Sequence, residues 1–190
     1  MAQNSQCNRE GIKQQVKEAY GKVVYTYTAN LKDANLKHSK SSVIKIAIII
    51  LSAVSTCGLL GIILQWAPTV LSAVTACITL ANVILSSYSK AANLDGQELI
   101  HISTANRLWK IREKYISLLT DYDNLSDEAV VKLRDELSEQ TAEIYAVAPL
   151  TSSKAYKLSQ EALKNNEEQF FSQEELNKIL PEHLRSTLIK

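Results

Sequence analysis

From Ile46 to Ser89 the chain runs for 44 residues without one Asp, Glu, Lys, Arg or His. All 21 basic and 20 acidic side chains lie outside that block. A mean hydropathy of −0.09 and 46% hydrophobic residues describe an average soluble protein and conceal this division. Soluble domains seldom segregate charge so sharply, so the block reads as membrane-embedded. Val43 to Leu64, with Lys45 as its only charge, supplies a first span of about 33 Å at ~1.5 Å per residue. Val70 to Tyr88 supplies a second of about 28 Å. Between them Pro68 lacks a backbone donor and biases Ala67 away from helix, while Trp66 suits the headgroup level. A pair of buried helices in a soluble protein is the competing reading. It suffers because the rest of the chain is too polar to wrap them.

Orientation follows from basic residues beside the spans. Lys37, Lys40 and Lys45 precede the first, Lys90 follows the second, and the turn has none. Both termini are expected on the cytoplasmic side, with Trp66 and Pro68 opposite. No cleaved signal peptide is expected, since the first forty residues are polar.

The flanking segments read as helix. Ile12, Val16, Ala19, Val23, Tyr27, Leu31 and Ala34 recur at steps of three and four, and so do Ala105, Leu108, Ile111, Tyr115, Leu118 and Tyr122. Gly11 and Gly21 weaken the first arm without ending it. Counted outward from the Pro68 turn, Arg9–Ser41 and Lys90–Tyr122 match in length, which predicts one long antiparallel hairpin. Residues 1–45 carry +5 and residues 90–190 carry −4, so charge favours pairing of the arms. After Asp123-Asn124-Leu125, Ser126 can cap a helix whose stripe is Val130, Leu133, Leu137, Ile144 and Val147, ended by Pro149. A further helix is expected from Ser152 to about Lys164. Ser172-Gln173-Glu174-Glu175 reads as a capping box for a short helix running to Leu180. The fold class is all-α: an N-terminal cytoplasmic helix (1–42), two spans (43–64 and 70–89) joined by a turn (65–69), a cytoplasmic helix (90–123) and a helical extension (124–190).

No catalytic constellation is visible. His38, His101 and His183 fall on separate elements, and no CxxC, HExxH, Gly-rich loop or GxSxG occurs. An enzyme, a metal site and a cofactor are therefore not expected. A net charge of +1 gives no reason to expect nucleic acid. His101 falls on the inward side of its helix, as a satisfied inter-helix histidine or a pH sensor. Cys57 and Cys77 read as small apolar packing residues.

Polarity inside the membrane is the remaining signal. Ser72, Thr75, Thr79, Asn82 and Ser86 lie at steps of three and four and share one seam of the second span. In the first span Ala53, Cys57 and Gly61 recur every four residues, a surface that admits close helix packing. One reading gives the first span to packing and makes the second a pore lining in an oligomer. The other has both faces join the two helices of a single hairpin. Spacing does not separate them.

Val23-Val24-Tyr25-Thr26-Tyr27-Thr28 precedes the first span, and the stretch Leu108 to Asp121, with Trp109, Arg112, Glu113 and Tyr115, follows the second. Arg134-Asp135-Glu136-Leu137, Ile144-Tyr145, Ala148-Pro149 and Ser153-Lys154-Ala155-Tyr156 come after. In that order, over roughly residues 10 to 185, these segments resemble the SLATT family of bacterial two-transmembrane effectors. The arrangement is most similar to the subfamily linked to reverse transcriptases and nucleotide second messengers. The resemblance implies a homo-oligomeric effector of an antiviral system that permeabilises the inner membrane after a separately encoded sensor or signal-producing enzyme responds to infection. It brings no catalytic residues. Trp109, Arg112, Glu113 and Tyr115 are then either fillers and ion pairs of the arm seam or a ligand-binding surface. The alternative function is a membrane anchor or scaffold that presents cytoplasmic helices to a partner protein.

Overall fold

A computed structural model of the chain describes residues 2–64, 68–166, 168–169 and 171–185. Six α-helices follow in order: α1 (Ala2–Ile63), α2 (Pro68–Ala92), α3 (Leu94–Asp121), α4 (Asp127–Val147), α5 (Ser153–Lys164) and α6 (Gln173–Ile179). Among the described residues there is no strand, so the chain is all-α as its periodicity predicts. The turn expected at 65–69 falls largely on residues 65–67, which lie outside the described residues, and with it the placement of Trp66.

α1 joins the N-terminal arm and the first span into one rod of 62 residues. No proline interrupts it. Gly11 and Gly21 face open space, so each costs only helix propensity, about 1 kcal/mol. The return path is not continuous. Asn93 adopts φ 43° and ψ 47°, the left-handed region, and divides the expected arm into α2 and α3. Pattern alone did not anticipate that break, because a single αL residue leaves the stripe on either side intact.

Around the uncharged block, Ile49, Ile50, Leu59, Leu60, Leu80, Val83 and Ile84 are exposed. Apolar side chains of that size turned outward along two helices long and apolar enough to cross a membrane are what lipid requires. Both helices leave no backbone group of the block without an intrahelical partner except at their ends.

Beyond the membrane, α3 and α4 pack with α1 around Val16, Val23, Leu108, Ile111, Tyr115, Leu118, Leu137 and Ile144. Every member of the α3 stripe from Ala105 to Tyr122 is buried. On α4 two expected members are not: Leu133 is partly exposed in a groove with Leu118 and Leu125, and Val147, the last helical residue, is exposed. Ser126, Ser152 and Ser172 each cap the helix that follows, and Ser172 with Glu175 forms the full capping box.

Arm charges do meet across the hairpin. Arg9 bonds Asp127 and donates to the carbonyls of Tyr122 and Leu125 at 2.7 and 2.8 Å, while the Tyr122 hydroxyl donates to the Arg9 carbonyl at 2.7 Å. Lys13 pairs with Asp123 at 3.1 Å and Lys32 with Glu168 at 2.8 Å. Exposed pairs of this kind contribute about 0–1 kcal/mol each, so they fix register more than they stabilise.

A buried polar layer lies midway along the bundle. Asp33, 2% exposed, accepts the Ser152 N–H at 2.6 Å and the Ser152 hydroxyl at 2.8 Å. Its carboxylate therefore sits at the positive end of α5 and pins that helix to α1. Asn30 gives its Nδ2 to the Thr26 carbonyl, which leaves Oδ1 to accept from His101 Nδ1 at 2.9 Å. This is the satisfied inter-helix histidine expected from sequence. Burial holds its pKa below the usual 6.5; the Asp33 carboxylate pulls it back up and Lys37 pushes it down.

With a folded pKa below the unfolded one, His101 takes up a proton on unfolding. Its contribution is fully present above about pH 6.5 and is lost as pH falls below that value. Thermal unfolding of the detergent-solubilised protein should show a midpoint that drops between about pH 7 and pH 5.5. His101→Gln should flatten that slope. An unchanged slope in the variant would show that the bundle's acid sensitivity arises elsewhere.

Candidate functional site

The polar residues of the two spans face each other. Thr75 is 5% exposed and Ser55 9%, the two buried polar side chains of the membrane block among the described residues. Thr79 lies 3.3 Å from the Ser55 hydroxyl and donates to the Thr75 carbonyl at 2.8 Å. Asn82 donates from Nδ2 to the Ser52 hydroxyl at 2.8 Å. Its Oδ1 is buried and has no partner. Whichever end of the amide faces Ser52, one polar atom is left over, and in hydrocarbon that is costly.

Of the five residues read from the stripe, the fold thus brings Thr75, Thr79 and Asn82 against α1. Ser72 and Ser86 are exposed at the two ends, Ser72 bonding back to the Thr69 carbonyl at 2.9 Å. Ser72, Thr75 and Thr79 also line a groove of about 520 Å³ between the helices.

The matching face of α1 is not the one the four-residue spacing suggests. Gly61 does pack on α2: a Cβ there would lie 2.6 Å from Leu71 Cδ2. Ala53 and Cys57 are exposed, available to a neighbouring molecule but not used within the hairpin. Cys77 is exposed as well, so both thiols lie on the hairpin surface instead of packing inside it. The face in use is Ser52, Ser55, Gly58 and Gly61, small residues at steps of three. That spacing was visible in the sequence and goes unnoticed when only fours are sought. At Gly58 the approach is closest, since a Cβ would come 2.2 Å from Thr75 Oγ1.

At the end of the seam nearest the bundle, Lys45 is neutralised by Asp95 at 2.7 Å, and Ser41 donates to the same carboxylate at 2.5 Å. The Lys45 and Ser41 bonds hold the Asp95 carboxyl below its usual range. Lys40 donates to the Tyr88 hydroxyl at 2.9 Å, and His38 Nδ1 lies 3.1 Å from Glu98. α1 is thereby tied to the return path on both sides of the Asn93 break.

The four motif residues of α3 divide. Tyr115 is 2% exposed and belongs to the bundle core, where burial pushes its hydroxyl pKa up. Arg112 pairs with its neighbour Glu113 at 2.5 Å and not with the facing arm, leaving its Nε buried and unbonded. Trp109 is 47% exposed and fills no seam. Tyr25 meets Tyr156 of α5 with ring centroids 6.3 Å apart. No group of three His, Cys, Asp or Glu among the described residues could hold a metal ion.

Gly58→Ala should force the spans apart at Thr75, and Thr75→Ala should relieve it. Oxidative cross-linking between Ser55→Cys and Thr79→Cys, with the native cysteines replaced by Ala, reads the separation. The yield should fall several-fold with Gly58→Ala and recover in the double substitution. Full cross-linking with Gly58→Ala alone would mean the helices do not approach as described.

A model of the SMODS and SLOG-associating 2TM effector domain family 4 matches residues 12–175, which takes in both spans and the bundle through α5 and ends within the first turn of α6. No curated protein and no solved structure matches the chain.

Proposed function

The chain belongs to the family of SMODS and SLOG-associating 2TM effectors, and from that premise we propose that it permeabilises the bacterial inner membrane as a homo-oligomer when a separately encoded partner signals infection. The observation that carries this reading is the seam. An effector that only anchored something would need two apolar spans, yet this hairpin places an amide and several hydroxyls on one line within an uncharged block and leaves Asn82 Oδ1 unsatisfied. Polar groups at that depth ordinarily face protein or water.

In the resting molecule the line is closed on Ser52 and Ser55. Opening would turn Thr75, Thr79 and Asn82 toward a water path formed with other copies, with Ser72 and Ser86 at its ends. The signal would come from an enzyme such as a reverse transcriptase or a nucleotidyltransferase, or from the nucleotide it makes. No catalytic step is assigned to this chain. A scaffold reading gains less support, because Asp33 and Lys32 fasten residues 152 and 168 onto α1 and make the extension part of the bundle.

Triggered cells should depolarise, as a potential-sensitive dye reports. Thr75→Val, Thr79→Val and Asn82→Leu together should leave insertion and oligomers intact, since each polar group contributes only about 0.6–2 kcal/mol to helix association. A wall without polar groups dewets, so this variant should not depolarise the membrane. A variant that stays abundant, oligomeric and fully toxic would remove the seam from the mechanism. Orientation is tested separately: a cysteine at Thr69 should label from the periplasm, and reporters active only in the cytoplasm should work at either terminus.

A further inference from the structure

The Asn93 break is built, not incidental. Asn tolerates the left-handed region better than other non-glycine residues, and its φ of 43° is the one positive value among the described non-glycine residues. Gly96 makes room for it: a Cβ at 96 would lie 2.5 Å from Asn93 Nδ2 and 2.7 Å from Oδ1. Gln97 takes up a carbonyl freed by the break, donating from Nε2 to Ala92 at 2.9 Å. Three residues within five positions thus serve one local geometry. Opposite them α1 runs through without interruption and is held to each side separately, to α2 through Lys40 and Tyr88 and to α3 through Lys45, Ser41 and Asp95.

The flanking stripes are nevertheless phased for a helix without a break. At about 100° per residue, the mean direction of Thr75, Thr79, Asn82 and Ser86 differs from that of Leu108, Ile111, Tyr115 and Leu118 by only about 10°. An uninterrupted helix through residue 93 would therefore keep both faces turned to α1. The phasing of the sequence thus accommodates a helix through residue 93 as well as the break.

We propose that the Asn93–Gln97 segment is a preset joint between the membrane hairpin and the cytoplasmic bundle, and that its straightening into one continuous α2–α3 helix passes the activating signal to the seam. This rests on the effector reading for its consequence, but not for its geometry. Because α1 is held to α2 through Lys40 and Tyr88 and to α3 through Lys45, Ser41 and Asp95, a change of backbone at Asn93 shifts α2 against α1 along Ser52, Ser55 and Gly58, where the two helices lie closest.

The test combines a distance with an activity. Spin labels at Ser87→Cys and Asn106→Cys, with native cysteines replaced, report the joint in reconstituted protein by pulsed dipolar spectroscopy. A continuous helix places those positions about 29 Å apart along the axis. Asn93→Gly, which keeps the left-handed conformation available, should match the unmodified joint. Asn93→Ala with Gly96→Ala disfavours that conformation about tenfold and should gain a population near the straight-helix distance. In unlabelled form this double variant should depolarise cells without the trigger, whereas Asn93→Gly should still require it. An unchanged distance distribution in the double variant overturns the joint. A shifted distribution with depolarisation still dependent on the trigger overturns its role in signalling. A shifted distribution in a protein that never depolarises, triggered or not, upholds the joint and overturns the effector reading instead.

Discussion

Hydrocarbon offers no partner for a backbone N–H or C=O, so whatever crosses it must bond within itself. In this molecule that requirement extends well past the membrane, because α1 does not end where the lipid does. One helix serves as a wall of the lipid-exposed hairpin and as the central strut of the aqueous bundle. α2, α3 and α5 all take their positions from it. The two environments are thus mechanically continuous on one side of the hairpin and jointed on the other.

Polar chemistry along α1 changes character with depth. In the bundle, Asn30 and Asp33 use full amide and carboxylate groups, and each finds its partners in His101 and Ser152. In the membrane, Ser52 and Ser55 offer hydroxyls alone, which can fall back on their own helix when unpaired. A carboxylate at that depth would neutralise or demand a counter-ion. Lys45 marks the border, and it is matched by an acid brought from α3. Asn82 is the exception to this gradation. Its amide cannot be satisfied by one serine, and so it is the point at which the closed hairpin is least content with its own contacts.

Much of the architecture was legible because it rests on period and charge, which are local properties. The α3 stripe from Ala105 to Tyr122, the caps at Ser126, Ser152 and Ser172, and the family wording around Trp109 all needed only nearby residues. What escaped depends on which neighbour lies opposite. The face of α1 that meets α2 follows small residues at steps of three, and only the position of Thr75 distinguishes it from the register of Ala53 and Cys57. The Asn93 break is invisible to periodicity because it preserves phase. Trp109 was open to two readings, a filler of the arm seam or part of a ligand surface, and it stands half-exposed on the flank of α3.

The length of α1 has a consequence of scale. From the membrane border near Ser41 to Arg9 the rod extends for about 48 Å at ~1.5 Å per residue. A tilt of about 10° in its membrane half, if the rod stays straight, carries the Arg9 end sideways by about 8 Å. Read in the other direction, the same lever reduces a displacement of several ångströms at the distal clamp of Arg9, Tyr122 and Asp127 to a small rotation at the lipid. Such gearing exchanges reach for force: a modest pull on an exposed tip becomes a short, strong movement where the helices lie closest.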